Sequence, residues 1–293
     1  MTTDPRLPTF LIIGAGKSGT TSLWSYLDQH PQIGMSAIKE PSFFSMDAVH
    51  ARGLEWYRRL YAGCTQARAR GEASNSYSAL LTYPRTIDRI AAALTDPRIV
   101  YIVRHPRDRT ESDWMQMSKT RAIGFHDFLR TDPVHSDKNR YLNCYTAYAD
   151  RFGEDAVTVL LYDDLRRDPA GLLRTLCARL GVDPDFAFDT DTRHGESARG
   201  RRFVWGLGAL RRTRLYADLS LRLPARLKAG LRAGLSQTLS VDRPVWTPGD
   251  IAWFRDRHEA QSTAFLTRIG RDPATWDWDA GWHTAATARP TGG

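Results

Sequence analysis

The stretch Phe10-Leu-Ile-Ile-Gly-Ala-Gly-Lys-Ser-Gly-Thr-Thr-Ser-Leu23 contains the pattern that decides the fold of this chain. It opens with four apolar residues, Phe10 to Ile13, which predict a short buried strand. A glycine-rich turn follows, and Thr20 and Thr21 then begin a pattern with helical spacing. A strand, a glycine turn and a helix N-terminus together form an anion site, because unpaired N–H groups and the helix dipole point at one place. We therefore expect an anion to bind at this turn.

Lys17 brings a full positive charge to the turn, and Ser18 adds a hydroxyl donor. The phosphate loop of NTPases has the pattern G-x-x-x-x-G-K-[ST], and Gly16, Lys17 and Ser18 match its second half. Leu11 stands where the first glycine belongs, so the stretch is either a relative of that loop or a different loop. A strand–helix turn that carries a lysine by chance is the simpler alternative. The apolar strand before the turn and the helix after it favour the anion loop.

The composition is that of an ordinary globular protein with a basic balance. The 293 residues allow one large domain or two small ones, and the 42% hydrophobic fraction is enough to build a core. The formal net charge is +8 and comes almost entirely from arginine. Such a charge is compatible with nucleic acid, a membrane surface or an anionic ligand as partner, or with nothing more than a solvated surface.

Cysteine use and the N-terminus indicate a cytoplasmic protein. The chain has three widely spaced cysteines, which form neither a disulfide framework nor a metal-binding spacing: Cys64, Cys144 and Cys177. Residues 1–8 are polar, and the apolar run after them is too short for a signal peptide. No apolar run approaches the roughly 20 residues of a membrane span. We therefore expect a cytoplasmic location and no bound metal.

Downstream of the first helix, strand and helix patterns alternate at short intervals. The run Arg98–Val103 is apolar and β-branched without alternation, which predicts a buried strand, and residues 156–161 predict another. Helical spacing and capping signals predict helices over 85–94, 108–117, 139–152, 168–180 and 251–269. Alternating strands and helices are typical of a parallel sheet covered on both faces, so we expect the α/β class.

Arg104 directly follows the strand Arg98–Val103. Ligands of α/β sheets bind outside the carboxyl ends of the strands, so Arg104 is a candidate anion contact, with Ser112 about two helical turns further on. A kinase or nucleotidase would be expected to carry an aspartate at a strand end to hold Mg²⁺. Arginine in that place argues for an anion that is bound without a metal.

The character of the chain changes at His194. Residues 194–203 are polar and basic, and 211–232 remain basic with leucines at helical intervals. An amphipathic membrane helix has this pattern, but Pro224 interrupts it, so we interpret the segment as a lid or an outer helix and expect no membrane association. We predict one domain over 1–293, with a core at about 8–190, a basic lid and C-terminal helices at about 191–283, and a disordered tail at 284–293.

Four motifs now occur in one order along the chain. They are Gly16-Lys-Ser-Gly-Thr-Thr21, Lys39-Glu-Pro-Ser-Phe-Phe44, Gly71-Glu-Ala-Ser-Asn-Ser-Tyr77, and Val100-Tyr-Ile-Val-Arg-His-Pro-Arg-Asp-Arg109 with Ser112. This order resembles the sulfotransferases that use 3′-phosphoadenosine 5′-phosphosulfate (PAPS), in particular the bacterial branch related to heparan-type carbohydrate sulfotransferases. The resemblance runs from about Pro8 to Phe186, and the first and fourth motifs together make it specific. It implies a P-loop-NTPase-like sulfotransferase fold.

The resemblance also implies roles for individual residues. The 5′-phosphosulfate of PAPS would be held by the first motif, at Lys17, Ser18, Gly19, Thr20 and Thr21. The 3′-phosphate would be held by Arg104 and Ser112, and Glu40 matches the catalytic base of the family. The segment Ser197-Ala-Arg-Gly-Arg201 looks like the late loop that closes over the 3′-phosphate, which makes Ser197, Arg199 and Arg201 further donor contacts.

Sulfuryl transfer resembles phosphoryl transfer, an in-line displacement in which the enzyme supplies position and charge. Lys17 would stabilise the leaving group and Glu40 would take the proton of the attacking hydroxyl or amine. The chain departs from the family at three positions. Members often have His where Ser42 stands and Pro where Asn75 stands, and heparan-type members have Lys where Ala73 stands. The missing lysine and histidine weaken the case for a heparan-like acceptor and leave the donor assignment unchanged.

Two other functions compete with the sulfotransferase. A P-loop-type small-molecule kinase would need Mg²⁺ and ATP, and Leu11 and the arginine at the strand end speak against it. A non-catalytic basic protein that binds nucleic acid or membrane ranks last, because basic motifs interleaved with aromatic residues are missing. The acceptor stays open between a sugar, a lipid-linked glycan and a secondary metabolite, and its pocket is expected from residues 45–70 and 115–140. The oligomeric state is also open.

Overall fold

The computed structural model describes residues 4–190, 200–203, 236–239 and 241–287. Five parallel strands form its central sheet in the order β2-β3-β1-β4-β5. The strands are β1 (Phe10–Gly14), β2 (Ile33–Met35), β3 (Ala69–Ala73), β4 (Arg98–Val103) and β5 (Val157–Leu161). The predicted α/β class with a parallel central sheet is therefore confirmed.

Helices fill the connections between the strands and continue after β5. They are α1 (Thr20–Leu27), α2 (Asp47–His50), α3 (Leu54–Arg59), α4 (Thr86–Ala93), α5 (Pro106–Met117), α6 (Phe125–Thr131), α7 (Pro133–Asp137), α8 (Tyr141–Phe152), α9 (Tyr162–Arg167), α10 (Pro169–Leu180) and α11 (Pro248–Arg268). The capping signals worked as predicted in α10. The side chain of Asp168 accepts a hydrogen bond from the N–H of Gly171, and Gly181 ends the helix in the left-handed conformation. None of the described helices combines the length and the apolar character needed to cross a membrane.

The sheet separates two apolar cores, because successive residues of a strand point to opposite faces. In β1, Leu11 and Ile13 pack in one core with residues of α3, α4, α8 and α11. Phe10 and Ile12 pack in the other core with residues of α1 and α10. All four side chains are completely buried. The continuous apolar run that opens the chain is thus explained by a central strand covered on both faces.

A third apolar cluster fixes the C-terminal part of the chain to the core. Trp246 packs there with Phe254 of α11 and with aromatic residues of α6. The indole N–H of Trp246 donates to Glu111 of α5 at 2.7 Å, and Arg243 forms a salt bridge with the same carboxylate. Two short strands, β6 (Gly200–Phe203) and β7 (Ser236–Leu239), pair with each other in antiparallel fashion. The segment 211–232 and residues 288–293 of the predicted tail lie outside the described residues.

We predict that Gly71→Ala destabilises the protein by roughly 1–3 kcal/mol, the usual cost of overpacking a core. Gly71 lies in the middle of β3, and a Cβ atom there would overlap the ring of Phe10, which is completely buried and has no room to move. Urea unfolding of the purified variant measures the change. Gly63→Ala is the matched control, because a Cβ there meets nothing within 4 Å. Equal stability losses in the two variants would contradict this packing argument.

Candidate active site

The carboxyl ends of β1, β3 and β4 open into one cavity of about 1300 Å³. Its walls come from segments that are far apart in the sequence. Seven of the predicted site residues line it: Lys17, Gly19, Thr20, Thr21, Glu40, Arg104 and Ser112. The volume is large enough to hold a nucleotide together with a second small molecule.

The turn between β1 and α1 has the backbone of an anion loop. Lys17 and Gly19 both have left-handed backbones, with φ of 70° and 91°. A Cβ atom at position 19 would lie 2.8 Å from the ring of Tyr162, so glycine is required there for both space and conformation. No described side chain caps the N-terminus of α1. Its first N–H groups and its dipole are therefore available to an anion.

Two polar groups of the loop have no partner among the described residues, and both fit an anionic ligand. The hydroxyl of Ser18 is completely buried and has no hydrogen-bond partner among the described residues, an arrangement that costs roughly 1–3 kcal/mol. Lys17 forms no salt bridge within the described part of the chain. Burial lowers the pKa of Lys17, while the nearby carboxylate of Asp113 acts in the opposite direction. A phosphate or sulfonate group in the loop would supply both missing partners.

Glu40 projects into the same cavity from the loop after β2. Its backbone is left-handed, with φ of 57°, and its N–H donates to the carbonyl of Ala73 at the end of β3. One carboxylate oxygen, Oε1, accepts from Lys39 Nζ and from Asn75 Nδ2, both at 2.7 Å. The side chain is 44% exposed, so the carboxylate is fixed at one oxygen and accessible at the other.

A buried carboxylate holds the loop that carries Glu40. Glu72 of β3 is completely buried, and its Oε1 accepts from the hydroxyls of Tyr57 and Tyr77 at 2.5 and 2.7 Å. Its Oε2 accepts from Ser74 at 2.5 Å. Burial raises the pKa of Glu72 to about 7, although these hydrogen bonds lower it.

The side chains that bind Glu72 also accept hydrogen bonds from backbone N–H groups of the Glu40 loop. The N–H of Ser42 donates to Ser74 Oγ at 2.9 Å, and the N–H of Phe44 donates to the Tyr77 hydroxyl at 3.3 Å. Ser42 also has a left-handed backbone, with φ of 54°. Two such residues in one short loop are strained, and tertiary contacts must hold them. The network around Glu72 supplies these contacts.

Arg104 marks the opposite side of the cavity, at the end of β4. Its guanidinium lies 4.9 Å from the centre of the Tyr162 ring and 3.5 Å from a carboxylate oxygen of Asp108. Its carbonyl accepts a hydrogen bond from Tyr141 at 2.8 Å. Ser112, in the middle of α5, is buried and lines the same cavity. The structure thus brings Arg104 and Ser112 to one cavity, as a shared phosphate contact requires.

The late loop predicted from the sequence cannot be compared with the structure. Ser197 and Arg199 lie outside the described residues, and Arg201 belongs to β6, where only the backbone is described. Their roles stay predictions. Among the described residues, no group of three or more His, Cys, Asp or Glu side chains could hold a metal ion.

Several residues of the cavity wall were given no individual role from the sequence, among them Asn75, Asp113, Lys138 and Tyr162. Lys138 does fall within the range 115–140 that was expected to shape the acceptor pocket. Asp113 could have been found from its place beside Ser112 on α5. Tyr162 directly follows β5, so the rule that ligands bind beyond strand ends would also have selected it. Lys138 follows the five-residue helix α7 and has no recognisable motif around it.

Comparison with known proteins agrees with this geometry. Residues 78–186 match the model of the family described as "Sulfotransferase family". The crystal structure of a sulfotransferase from Alicyclobacillus acidocaldarius resembles this one with a TM-score of 0.62 and 26% sequence identity. That likeness covers 92% of this chain and 98% of the other. This chain is therefore similar to sulfotransferases both in the sequence of residues 78–186 and in its fold.

Curated relatives connect this chain to the heparan-type enzymes, as the motifs predicted. Heparan sulfate glucosamine 3-O-sulfotransferase 6 from Homo sapiens is 37% identical over 131 residues, which is 42% of this chain. The bifunctional heparan sulfate N-deacetylase/N-sulfotransferase 1 from Mus musculus is 30% identical over 204 residues, which is 61% of this chain. The matched segments span only 36% and 23% of the lengths of these two relatives.

We predict that Glu72 makes the protein less stable as the pH rises from about 5 to 8. Between its ordinary pKa of 4.5 and the folded value of about 7, the folded protein keeps a proton that the unfolded chain releases. The stability that Glu72 contributes is therefore complete below about pH 4.5 and is lost by about pH 7. The loss is at most about 3 kcal/mol.

Urea unfolding at several pH values measures this effect. Glu72→Gln should flatten the pH dependence, since the neutral amide can still accept from the tyrosines and donate to Ser74. Asp150→Asn, on the exposed face of α8, is the control and should leave the slope unchanged. An unchanged slope in Glu72→Gln would show that another group titrates in this range.

Proposed function

We propose that this protein is a sulfotransferase that transfers a sulfuryl group from PAPS to a hydroxyl or amine of a small-molecule or glycan acceptor. The observation that carries the proposal is the meeting of Lys17 and the Glu40 carboxylate in one cavity, with the buried Ser18 hydroxyl in the loop behind Lys17 left without a hydrogen-bond partner among the described residues. An anion loop without partners and an accessible base are the two parts that such a transfer needs. The heparan sulfate sulfotransferases among the relatives favour a sugar acceptor, while a lipid-linked glycan or a secondary metabolite stays possible on the same geometry.

The residues of the cavity divide into two groups by the part of PAPS that they would hold. The 5′-phosphosulfate belongs to the anion loop, with Lys17, Ser18, Gly19, Thr20 and Thr21. The 3′-phosphate belongs to Arg104 and Ser112, and Ser197, Arg199 and Arg201 would add to that end. PAPS would supply an activated sulfuryl group, and the protein would position the two substrates, stabilise charge and accept a proton.

Two side chains of the protein then act in the reaction: one stabilises the charge of the leaving group, and the other accepts the proton of the attacking group. Lys17 stabilises the negative charge that grows on the leaving phosphate, because its ammonium is already in place and forms no salt bridge with any described residue. Glu40 takes the proton of the attacking hydroxyl or amine. Its Oε1 is engaged by Lys39 and Asn75, so Oε2 is the oxygen that accepts this proton. Metal coordination is not needed in this scheme.

We predict that 3′,5′-adenosine bisphosphate stabilises the protein and that ATP with Mg²⁺ does not. A ligand at 100 times its Kd adds about 2.7 kcal/mol to the free energy of unfolding, which a thermal unfolding assay detects readily. The bisphosphate carries both phosphates that the two groups of residues are proposed to hold. A shift with Mg-ATP alone would overturn the proposal in favour of a kinase. No shift with either nucleotide would favour a basic binding protein.

We predict that Glu40→Gln lowers the rate of sulfuryl transfer about 10²- to 10⁴-fold, the usual contribution of a general base. Affinity for 3′,5′-adenosine bisphosphate should stay within about twofold of wild type, because Glu40 takes no part in holding the nucleotide. Transfer of ³⁵S from labelled PAPS to a panel of oligosaccharides, glucosamine glycosides and phenols measures the rate. Calorimetric titration measures the affinity.

Glu55→Gln is the control for this substitution. Glu55 is an exposed glutamate of α3 that forms surface salt bridges with Arg6 and Arg58 and does not line the cavity. Its transfer rate should equal that of the wild type. Undiminished transfer by Glu40→Gln would remove Glu40 from the mechanism while leaving the donor site in place.

A further inference from the structure

Lys138 reaches the anion loop from a part of the chain that no motif marks. It follows α7, and its Nζ lies 3.7 Å from the point that a Cβ atom of Gly16 would occupy. The side chain is half-buried and lines the cavity. The loop therefore has a second ammonium group beside it, in addition to that of Lys17.

The two glycines of the loop show which half of the cavity Lys138 occupies. Gly19 lies against Tyr162, and the guanidinium of Arg104 lies over the Tyr162 ring. The Gly19 end of the loop is therefore the end nearer the proposed 3′-phosphate site. Gly16 lies at the other end, where its Cβ position is 3.6 Å from Asn75 Cβ. The amide of Asn75 donates to Glu40 at 2.7 Å. Lys138 thus lies at the end of the cavity that holds the base.

The charge of Lys138 is available to a ligand. Lys138 forms no salt bridge with any residue that the structure describes. The nearby carboxylate of Asp113, whose pKa Lys138 helps to lower, is already bound by the completely buried Arg109 at 3.0 Å. Ala73, at the end of the neighbouring strand β3, is buried and brings no charge to this region. Among the described residues no ion-pair partner is left for Lys138, and an anionic group of a bound molecule in the cavity would provide one.

We infer that Lys138 binds the sulfuryl group of the donor and stabilises it during transfer. This inference rests on the proposed function, since it assumes that the loop holds PAPS. The charge of the transferring group is spread over its peripheral oxygens, and a single lysine on the leaving side leaves those oxygens without a cationic partner. Lys138 lies on the side of Glu40, where the group passes to the acceptor. A cation fixed there in advance stabilises that charge without reorganisation.

Calorimetric titration of Lys138→Met with two nucleotides tests the inference. PAPS and 3′,5′-adenosine bisphosphate have similar total charge, but only PAPS carries the sulfuryl group. We expect the Kd for PAPS to rise about tenfold, as for the loss of one charged hydrogen bond, and the Kd for the bisphosphate to change less than about twofold. Lys138→Arg keeps the cation and should keep the ratio of the two affinities within about threefold of wild type.

Arg140→Met is the matched control, because it removes the same charge from an exposed position two residues away that does not line the cavity. It should leave the ratio of the two affinities unchanged. Equal weakening of both nucleotides in Lys138→Met, or no weakening of either, would overturn the inference while the proposed function stands. Failure of the wild type to bind either nucleotide would overturn the proposed function, and the inference with it. Lys138→Gln is the second variant if Lys138→Met does not fold.

Discussion

The parallel pairing of β1 with β3 on one side and β4 on the other is the constraint on which the cavity depends. In this register Ile12 lies beside Ala73 and beside Val100, so the three strands end at the same edge of the sheet. The anion loop follows β1 at this edge, Asn75, which donates to Glu40, follows β3, and Arg104 follows β4. Because both faces of β1 are buried, a slip of the register by one residue would turn Phe10 and Leu11 into the opposite cores, so the packing of the two cores fixes the geometry of the site.

Charge in the cavity is arranged so that the cations stay available. Two carboxylates near the cavity are engaged by neighbouring side chains: the partly buried Asp113 by Arg109, and the completely buried Glu72 by two tyrosines and Ser74. They position other groups and do not pair with the lysines of the loop. Burial raises the pKa of both carboxylates, but at Asp113 a hydrogen bond from His135 and the charge of Arg109 outweigh it, so the pKa of Asp113 lies below its ordinary value. Because Asp113 and Glu72 are engaged by these other side chains, the ammonium groups of Lys17 and Lys138 remain at the cavity surface.

The local sequence pattern was sufficient to predict the bounds of some strands and helices of the sheet region. The strand Arg98–Val103 and the helix start at Asp168 were predicted with the bounds that the structure has, since an apolar β-branched run and an Asp-Pro cap determine their own conformation. The helices α2 and α3 within residues 45–70 were not predicted. They are short, and α3 buries Trp56 and Tyr57 against side chains from distant segments, so tertiary packing rather than local propensity stabilises them.

The sequence by itself determined the class of fold, the anion loop, and the residues whose function is written in short motifs, such as Lys17 and Glu40. These follow from contiguous residues, because a strand, a glycine turn and a helix start are formed by neighbours in the chain. Only the tertiary structure decided that Lys138 and Asp113 meet at the loop and that Glu72 holds the strained backbone around Glu40 and Ser42. These contacts join residues 30 to more than 100 positions apart, and their meeting is set by helix packing on the sheet, which leaves no periodic signal in the sequence.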